Sequence, residues 1–344
     1  MLTDKIITKT LGGADSLVAA DRSRCGRMRF SRNTCSHCTA ICDAAAISID
    51  GAIIIDAAKC TGCMLCVSEC PSGCLSAAGE DFDLLLAKLR KTEKSVPSCV
   101  VSCKTARDRS AHAKTSCLGF LSEEHLMVLA GSLDKPLYLD LSACGACRNS
   151  FIIDKLRERV RNVQANTGIN IREKIILAED AGALAFEDVS LDRRGFFQAL
   201  KAATFMQVAG FLDEQEVKTP ASYGEKKVTA KRQLLNRLLK SLSDGKAATA
   251  ILNSYAFTVK TGSSCTVCSA CVGMCPTGAL QVRKDANSAE LLFNSSLCHG
   301  CSLCKDICPA AAVAVTSGFN GKNYFEHEIC HAVNSASRDA VNKN

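Results

Sequence analysis

Residues 47–55 set Ile47, Ile49, Ile53, Ile54 and Ile55 around an Asp50-Gly51 pair. Aspartate followed by glycine accepts the positive φ angles of a type I′ turn, so these positions predict a short β-hairpin. At Asp81 the period changes. Phe82, Leu85, Leu86 and Leu89 recur at helical spacing behind an aspartate suited to capping. From Pro97 onward the pattern alternates. Runs at 96–101, 136–141 and 174–178 predict strands, with helices at 122–133 and 149–163 between them, an order that implies a small α/β domain. Residues 190–217 read as a helical pair. Farther on, Leu234, Leu235, Leu238, Leu239 and Leu242 mark one side of a basic amphipathic helix decorated by Lys227, Lys231, Arg232 and Lys240. Such a helix is expected to pack between domains, with a membrane surface or a partner as the alternative. The polar tail beyond Asn334 is expected to fray.

Composition changes this picture through one residue type. The chain has 344 residues, 47% of them hydrophobic, which is enough for two or three cored domains and argues against disorder. Its 23 cysteines imply either a disulfide scaffold or a metalloprotein. The first residues, Met1 to Lys9, contain no apolar stretch with a cleavage site, so a reducing, cytoplasmic setting is expected. The cysteines also crowd into short C-x-x-C-x-x-C runs, where thiolates converge, and metal is the better reading. No apolar run is long enough to predict a membrane span. The formal charge of +7 would suit a nucleic-acid binder. However, each four-cysteine [4Fe-4S] site would carry roughly −2, so four such sites nearly balance the excess. Neither a zinc-finger spacing nor an RNA-binding aromatic motif supports nucleic acid as a partner.

An internal repeat carries the chemistry. Cys60, Cys63, Cys66, Cys70 and Pro71 recur as Cys265, Cys268, Cys271, Cys275 and Pro276, and again as Cys298, Cys301, Cys304, Cys308 and Pro309. Structural zinc sites pair two C-x-x-C knuckles, not three close cysteines with a Cys-Pro. The pattern resembles bacterial two-cluster ferredoxins, and the resemblance implies that the fourth cysteine of each run crosses to the other cluster. One C-terminal [4Fe-4S] cluster would then take Cys265, Cys268, Cys271 and Cys308, and its neighbour Cys298, Cys301, Cys304 and Cys275. At the N-terminus, alignment puts Cys35, Cys38 and Cys42 in register, but Arg32 falls where the first cysteine belongs. Cys25 is the nearest upstream thiol, giving Cys25, Cys35, Cys38 and Cys70 for one cluster and Cys60, Cys63, Cys66 and Cys42 for the other. A three-iron cluster or an empty site is the alternative if Cys25 does not ligate. Cys74 aligns with Ala279 and Ala312 and reads as a small buried residue near a cluster. The 47–55 hairpin fits the short hairpin that ferredoxin modules place against their clusters.

Cys99, Cys103, Cys117, Cys144 and Cys147 punctuate the predicted α/β domain and form a candidate fifth site, most simply a [2Fe-2S] cluster. Cys117-Leu118-Gly119-Phe120-Leu121 and Cys144-Gly145-Ala146-Cys147 resemble the cluster-binding delta subunits of methyl-viologen-reducing hydrogenases. A redox disulfide between Cys144 and Cys147, or inert buried thiols, are the other readings. Arg193-Arg194 imitates a twin-arginine export signal, but such signals are N-terminal, and a solvated helix start is expected.

The expected fold class is α+β. A ferredoxin-like module at 1–80, an α/β domain at 81–185, a helical connector at 186–254, a second ferredoxin module at 255–318 and a tail at 319–344 make up the chain. No dinucleotide loop, P-loop lysine or nucleophile elbow is present. The expectation is an electron-wiring subunit of a larger, anaerobic oxidoreductase, with flavin, molybdenum, tungsten or nickel–iron proteins as partners. A thiol/disulfide reductase acting through the middle cysteines and an iron–sulfur redox sensor are the alternatives.

Overall fold

The computed structural model describes residues 17–106, 108–184, 186–188 and 223–334. The helical pair expected at 190–217 and the tail beyond Asn334 lie outside them. The N-terminal module contains β1 (Val18–Ala20), β2 (Ile47–Asp50), β3 (Ala52–Ile55) and β4 (Leu75–Ala77). Strands β2 and β3 form the expected hairpin, with Ile47 opposite Ile55 and Gly51 at φ +61° in the turn. Strands β1 and β4 pair antiparallel and join the ends of the module.

The middle domain holds a four-stranded parallel sheet in the order β6-β5-β7-β8, from β5 (Cys99–Cys103), β6 (Ala113–Thr115), β7 (Leu137–Asp140) and β8 (Ile175–Ala178). Strand β6 is too short and too polar to show in the hydrophobic pattern, and β5 begins at Cys99, later than the pattern suggests. Helices Phe82–Thr92, Glu123–Ser132 and Ile152–Thr167 accompany the sheet. The Asp81 carboxylate caps the first, accepting from the Asp83 and Leu84 amides, and Ser122 caps the second. Gly168, at φ +67°, ends the third in a left-handed cap.

The C-terminal module repeats the N-terminal plan. Strand β9 (Phe257–Thr261) pairs antiparallel with a later strand, and β10 (Leu280–Lys284) and β11 (Ser288–Phe293) form the inner hairpin. The partner of β9 is β12 (Val313–Ser317). Strand β13 (Glu328–Asn334) adds to β11, so the sheet recruits residues beyond the boundary at 318 that the cysteine runs suggest.

Helix Ala230–Ser241 buries Leu234, Leu235, Leu238 and Leu239, four of the five leucines read from the sequence; Leu242 is its half-buried C-cap, Lys227 precedes the helix, and Arg232, expected on the polar side, is buried because its guanidinium turns inward to Tyr324 and Tyr255. The helix packs on helix Glu123–Ser132, where a β-carbon on Gly131 would lie 3.0 Å from Leu238 Cδ1. Its polar side holds both ends of the molecule: Lys231 Nζ donates to the Ser68 carbonyl at 2.7 Å, and Asn236 Nδ2 to the Ser296 carbonyl at 2.8 Å. One apolar core therefore runs through the N-terminal module, the middle domain and this helix, while a smaller second core fills the C-terminal module. No helix among the described residues is long and apolar enough to cross a membrane.

Candidate metal centres

The cysteine loops share an unusual backbone. In the run 60–66, Gly62 and Met64, on either side of Cys63, have φ +69° and +63°. Val267 and Ser269 flank Cys268 in the same way, at +53° and +71°, as do Gly300 and Ser302 around Cys301, at +74° and +59°. Left-handed conformations are costly for side chains other than glycine, and three loops adopt the same pair. Alternating backbone handedness turns successive amides toward one side, making a concavity that receives negative charge. The fourth cysteines repeat a second device. Ala45, Gly73, Gly278 and Ala311, each three residues after Cys42, Cys70, Cys275 or Cys308, also have positive φ. That turn lets Ala46 N–H reach Cys42 Sγ at 3.2 Å, Cys74 N–H reach Cys70 Sγ at 3.3 Å and Ala312 N–H reach Cys308 Sγ at 3.3 Å. Such donors favour a charged sulfur.

Four sets of thiols result. Cys42, Cys60, Cys63 and Cys66 line one small cavity walled by Val18, Ile41, Ile47, Ile55 and Met64. Cys275, Cys298, Cys301 and Cys304 line another, walled by Val259, Leu280, Phe293, Leu303 and Val315. Cys265, Cys268 and Cys308 all act electrostatically on Cys271. Likewise Cys35 and Cys38 feel Cys25 and Cys70. Burial pushes several of these thiols up: Cys38, Cys271 and Cys298 to about 11, Cys66 and Cys301 to about 12. Among the described residues no three His, Cys, Asp or Glu side chains close on a single-ion site. The thiols are spread around their cavities.

The first run differs where Arg32 replaces cysteine. Ser36 is not left-handed there, with φ −130°. Asn33 organises the loop instead: its Oδ1 accepts from the Cys35 amide at 3.2 Å, and its Nδ2 donates to Asp306 in the C-terminal module at 2.7 Å. Gly26 makes room, since a β-carbon there would stand 2.7 Å from Asn33 Oδ1. The neighbouring Cys25 thus faces Cys70 from inside the module, only 8% exposed. Cys74 lies against both. Its thiol keeps its proton and, by hydrogen bonding, holds Cys25 down to about 6 and Cys70 down to about 5. Cys74 is thus a buried neighbour of the set, as its sequence position suggests, that also acts directly on two of its members.

In the middle domain, parallel strands deliver their C-terminal ends to one edge, where open α/β sheets place their sites. Cys103 closes β5, Cys117 follows β6, and Cys144 and Cys147 follow β7. Cys117 and Cys144 feel Cys103, and burial raises both to about 12. Cys99 does not join them. It opens β5, about 13 Å from Cys103 along the strand, and its Sγ reaches the Leu89 carbonyl at 3.7 Å. This middle set abuts the N-terminal module: Cys117 feels Cys63, and Arg148 Nη2 and Asn149 Nδ2 each donate to the Thr61 carbonyl at 3.2 Å.

Cys330 has no counterpart in any run. Strand β13 brings it beside Cys265 and Cys271, with its Sγ donating to the Leu291 carbonyl at 3.3 Å. A lone cysteine without a spacing partner carries no signal that could have placed it.

The sets fit iron–sulfur clusters. Arg232 is 6% exposed and finds no carboxylate among the described residues; it touches the Tyr324 hydroxyl and the Tyr255 carbonyl, its Nε is unpartnered, and it acts on Cys298. A buried guanidinium needs a negative counterpart, which a thiolate-ligated cluster provides. Comparison with known families agrees. Residues 53–76 match the 4Fe-4S binding domain and residues 264–312 the 4Fe-4S dicluster domain. No curated protein and no solved structure gives a match. The chain therefore carries a 4Fe-4S ferredoxin-type domain at each end of a mixed helix-and-strand fold, with capacity for at least two clusters.

Proposed function

We propose that this chain is an electron-wiring subunit of a larger cytoplasmic oxidoreductase, holding four [4Fe-4S] clusters and a fifth centre in the middle domain, most simply [2Fe-2S]. Bound iron–sulfur clusters supply one-electron, outer-sphere transfer. Cys25, Cys35, Cys38 and Cys70 would hold the first cluster, Cys42, Cys60, Cys63 and Cys66 the second. Cys265, Cys268, Cys271 and Cys308 would hold the third, Cys275, Cys298, Cys301 and Cys304 the fourth, and Cys103, Cys117, Cys144 and Cys147 the fifth.

One observation carries the reading: within each half of the chain neighbouring thiol sets lie within electrostatic reach, and a hydrogen bond joins the two halves. Cys117 of the middle set feels Cys63, Cys66 feels Cys38, and Cys304 feels Cys271. The Asn33–Asp306 hydrogen bond ties the first set's loop to the helix that carries Cys304. Apolar walls around the second and fourth sets exclude water, and amides aimed at sulfur stabilise charge there. A continuous series of sites suits conduction between partners, with flavin, molybdenum, tungsten or nickel–iron proteins as candidates. Anaerobic isolation should give about sixteen iron atoms per chain, or about eighteen with a [2Fe-2S] site, and should bring a catalytic subunit along. Stoichiometric zinc with little iron would overturn the proposal.

A further inference from the structure

His299 lies between Cys298 and Gly300 in the loop of the fourth set, with Arg24 of the N-terminal module among the cations near it. It is 7% exposed and lines the same cavity as Cys275, Cys298, Cys301 and Cys304. Neither Nδ1 nor Nε2 has a hydrogen-bond partner among the described residues. The cations Arg232, Lys231 and Arg24 lie nearby. An imidazole carries an N–H in either protonation state, and leaving it unmet in the interior is unfavourable. The unmet partner is negative in character, because the surroundings already contain cations: Arg232 with its own orphaned Nε, and Arg24, which immediately precedes Cys25. Within this cavity the acceptors that a bound cluster would bring are its sulfurs.

We propose that His299 donates its ring N–H to a sulfur of the cluster held by Cys275, Cys298, Cys301 and Cys304, raising that cluster's reduction potential at the junction of the two modules. The inference rests on the four-cluster reading. A donor aimed at sulfur stabilises the reduced form, with its extra negative charge, more than the oxidised one. Held in both oxidation states, the His299 N–H would let a one-electron change at this site proceed with no bond broken and no proton lost from the ring. His299 is a positioning residue of the redox site, and Arg232 supports it by adding positive charge on the same side. The consequence is a favoured resting station for the electron between the two modules.

The test compares full-length His299→Leu and His299→Gln with the unaltered protein in EPR-monitored redox titrations at fixed pH, with iron counted in each sample. His299→Leu should retain iron and make one C-terminal cluster about tenfold harder to reduce at a given potential, a downward shift of about 59 mV for one electron. His299→Gln keeps an N–H donor and should recover most of that shift. Unchanged midpoints in His299→Leu at full iron content would overturn the proposal while leaving the four-cluster reading intact. Absence of iron from this site in the unaltered protein would overturn both. If His299→Leu fails to assemble, pulsed EPR decides: ¹⁵N-histidine protein carrying His37→Gln and His331→Gln should still show a weak imidazole coupling to a reduced cluster. Its absence refutes the donor.

Discussion

Replacing Arg159 tests how the middle domain is held against the N-terminal module. The side chain, 4% exposed, leaves helix Ile152–Thr167 and makes four bonds: Nη1 donates to the Gly119 and Leu121 carbonyls at 3.1 and 2.8 Å, and Nη2 to Ser68 Oγ and Glu69 Oε1, both at 2.7 Å. In Arg159→Met, not all of this is lost. Ser68 Oγ already donates to the Gly119 carbonyl at 2.9 Å, so those two groups keep each other, and Glu69, 31% exposed, rehydrates. The Leu121 carbonyl is left without this donor, at about 1–3 kcal/mol, and the charge-assisted bonds to Ser68 and Glu69 add about 1 kcal/mol more. The sum is about 3 kcal/mol, or about a hundredfold in a local opening equilibrium. The amides of Phe120 and Leu121, bonded to the Cys117 and Leu118 carbonyls, report it directly. Their hydrogen exchange should accelerate about a hundredfold in Arg159→Met, while the amides of β5 and β7 remain protected and Glu69→Gln changes little. Equal exchange in variant and unaltered protein, or uniform loss of protection across the sheet, would refute this account of the interface.

Gly119→Ala places a β-carbon on the Cys63 carbonyl, where backbone cannot yield, so it should cost about 1–3 kcal/mol and lower the melting temperature under anaerobic conditions. Cys25→Ala should convert one cluster to a three-iron form, seen by EPR, and leave the C-terminal pair unchanged; an unaltered spectrum and iron content would assign the fourth ligand elsewhere. Cys144→Ala should remove the iron of the middle centre while Cys99→Ala retains it, because only Cys144 stands at the sheet edge with Cys103 and Cys117; equal iron loss would contradict that division. Burial raises Cys271, Cys298 and Cys301 above the ordinary value of 9.0, so protons compete with iron for these thiols and cluster retention against a chelator should improve from about pH 6.5 to about pH 8.5. Retention that falls over this range would show that thiol protonation does not limit ligation.

What the sequence determined by itself was local. A C-x-x-C-x-x-C run folds its three thiols into one loop within seven residues, and Asp50-Gly51 fixes a hairpin by turn chemistry alone, so both were legible without the rest of the chain. The buried leucines of helix Ala230–Ser241 were equally plain, because the helical period depends only on neighbours. The partners of that helix were not: Ser68 and Ser296 lie far away in sequence, and only the packed molecule shows one element tied to both modules. Tertiary structure likewise separated Cys99 from Cys103, since a strand carries its two ends to opposite edges of a sheet, a fact that spacing does not encode. It brought Cys330 beside Cys265 through an added strand and set Cys74 against Cys25 and Cys70. It also left the His299 nitrogens buried without partners among the described residues. Each of these depends on groups distant in sequence being driven together by burial of apolar surface, and burial selects positions without marking them with a motif.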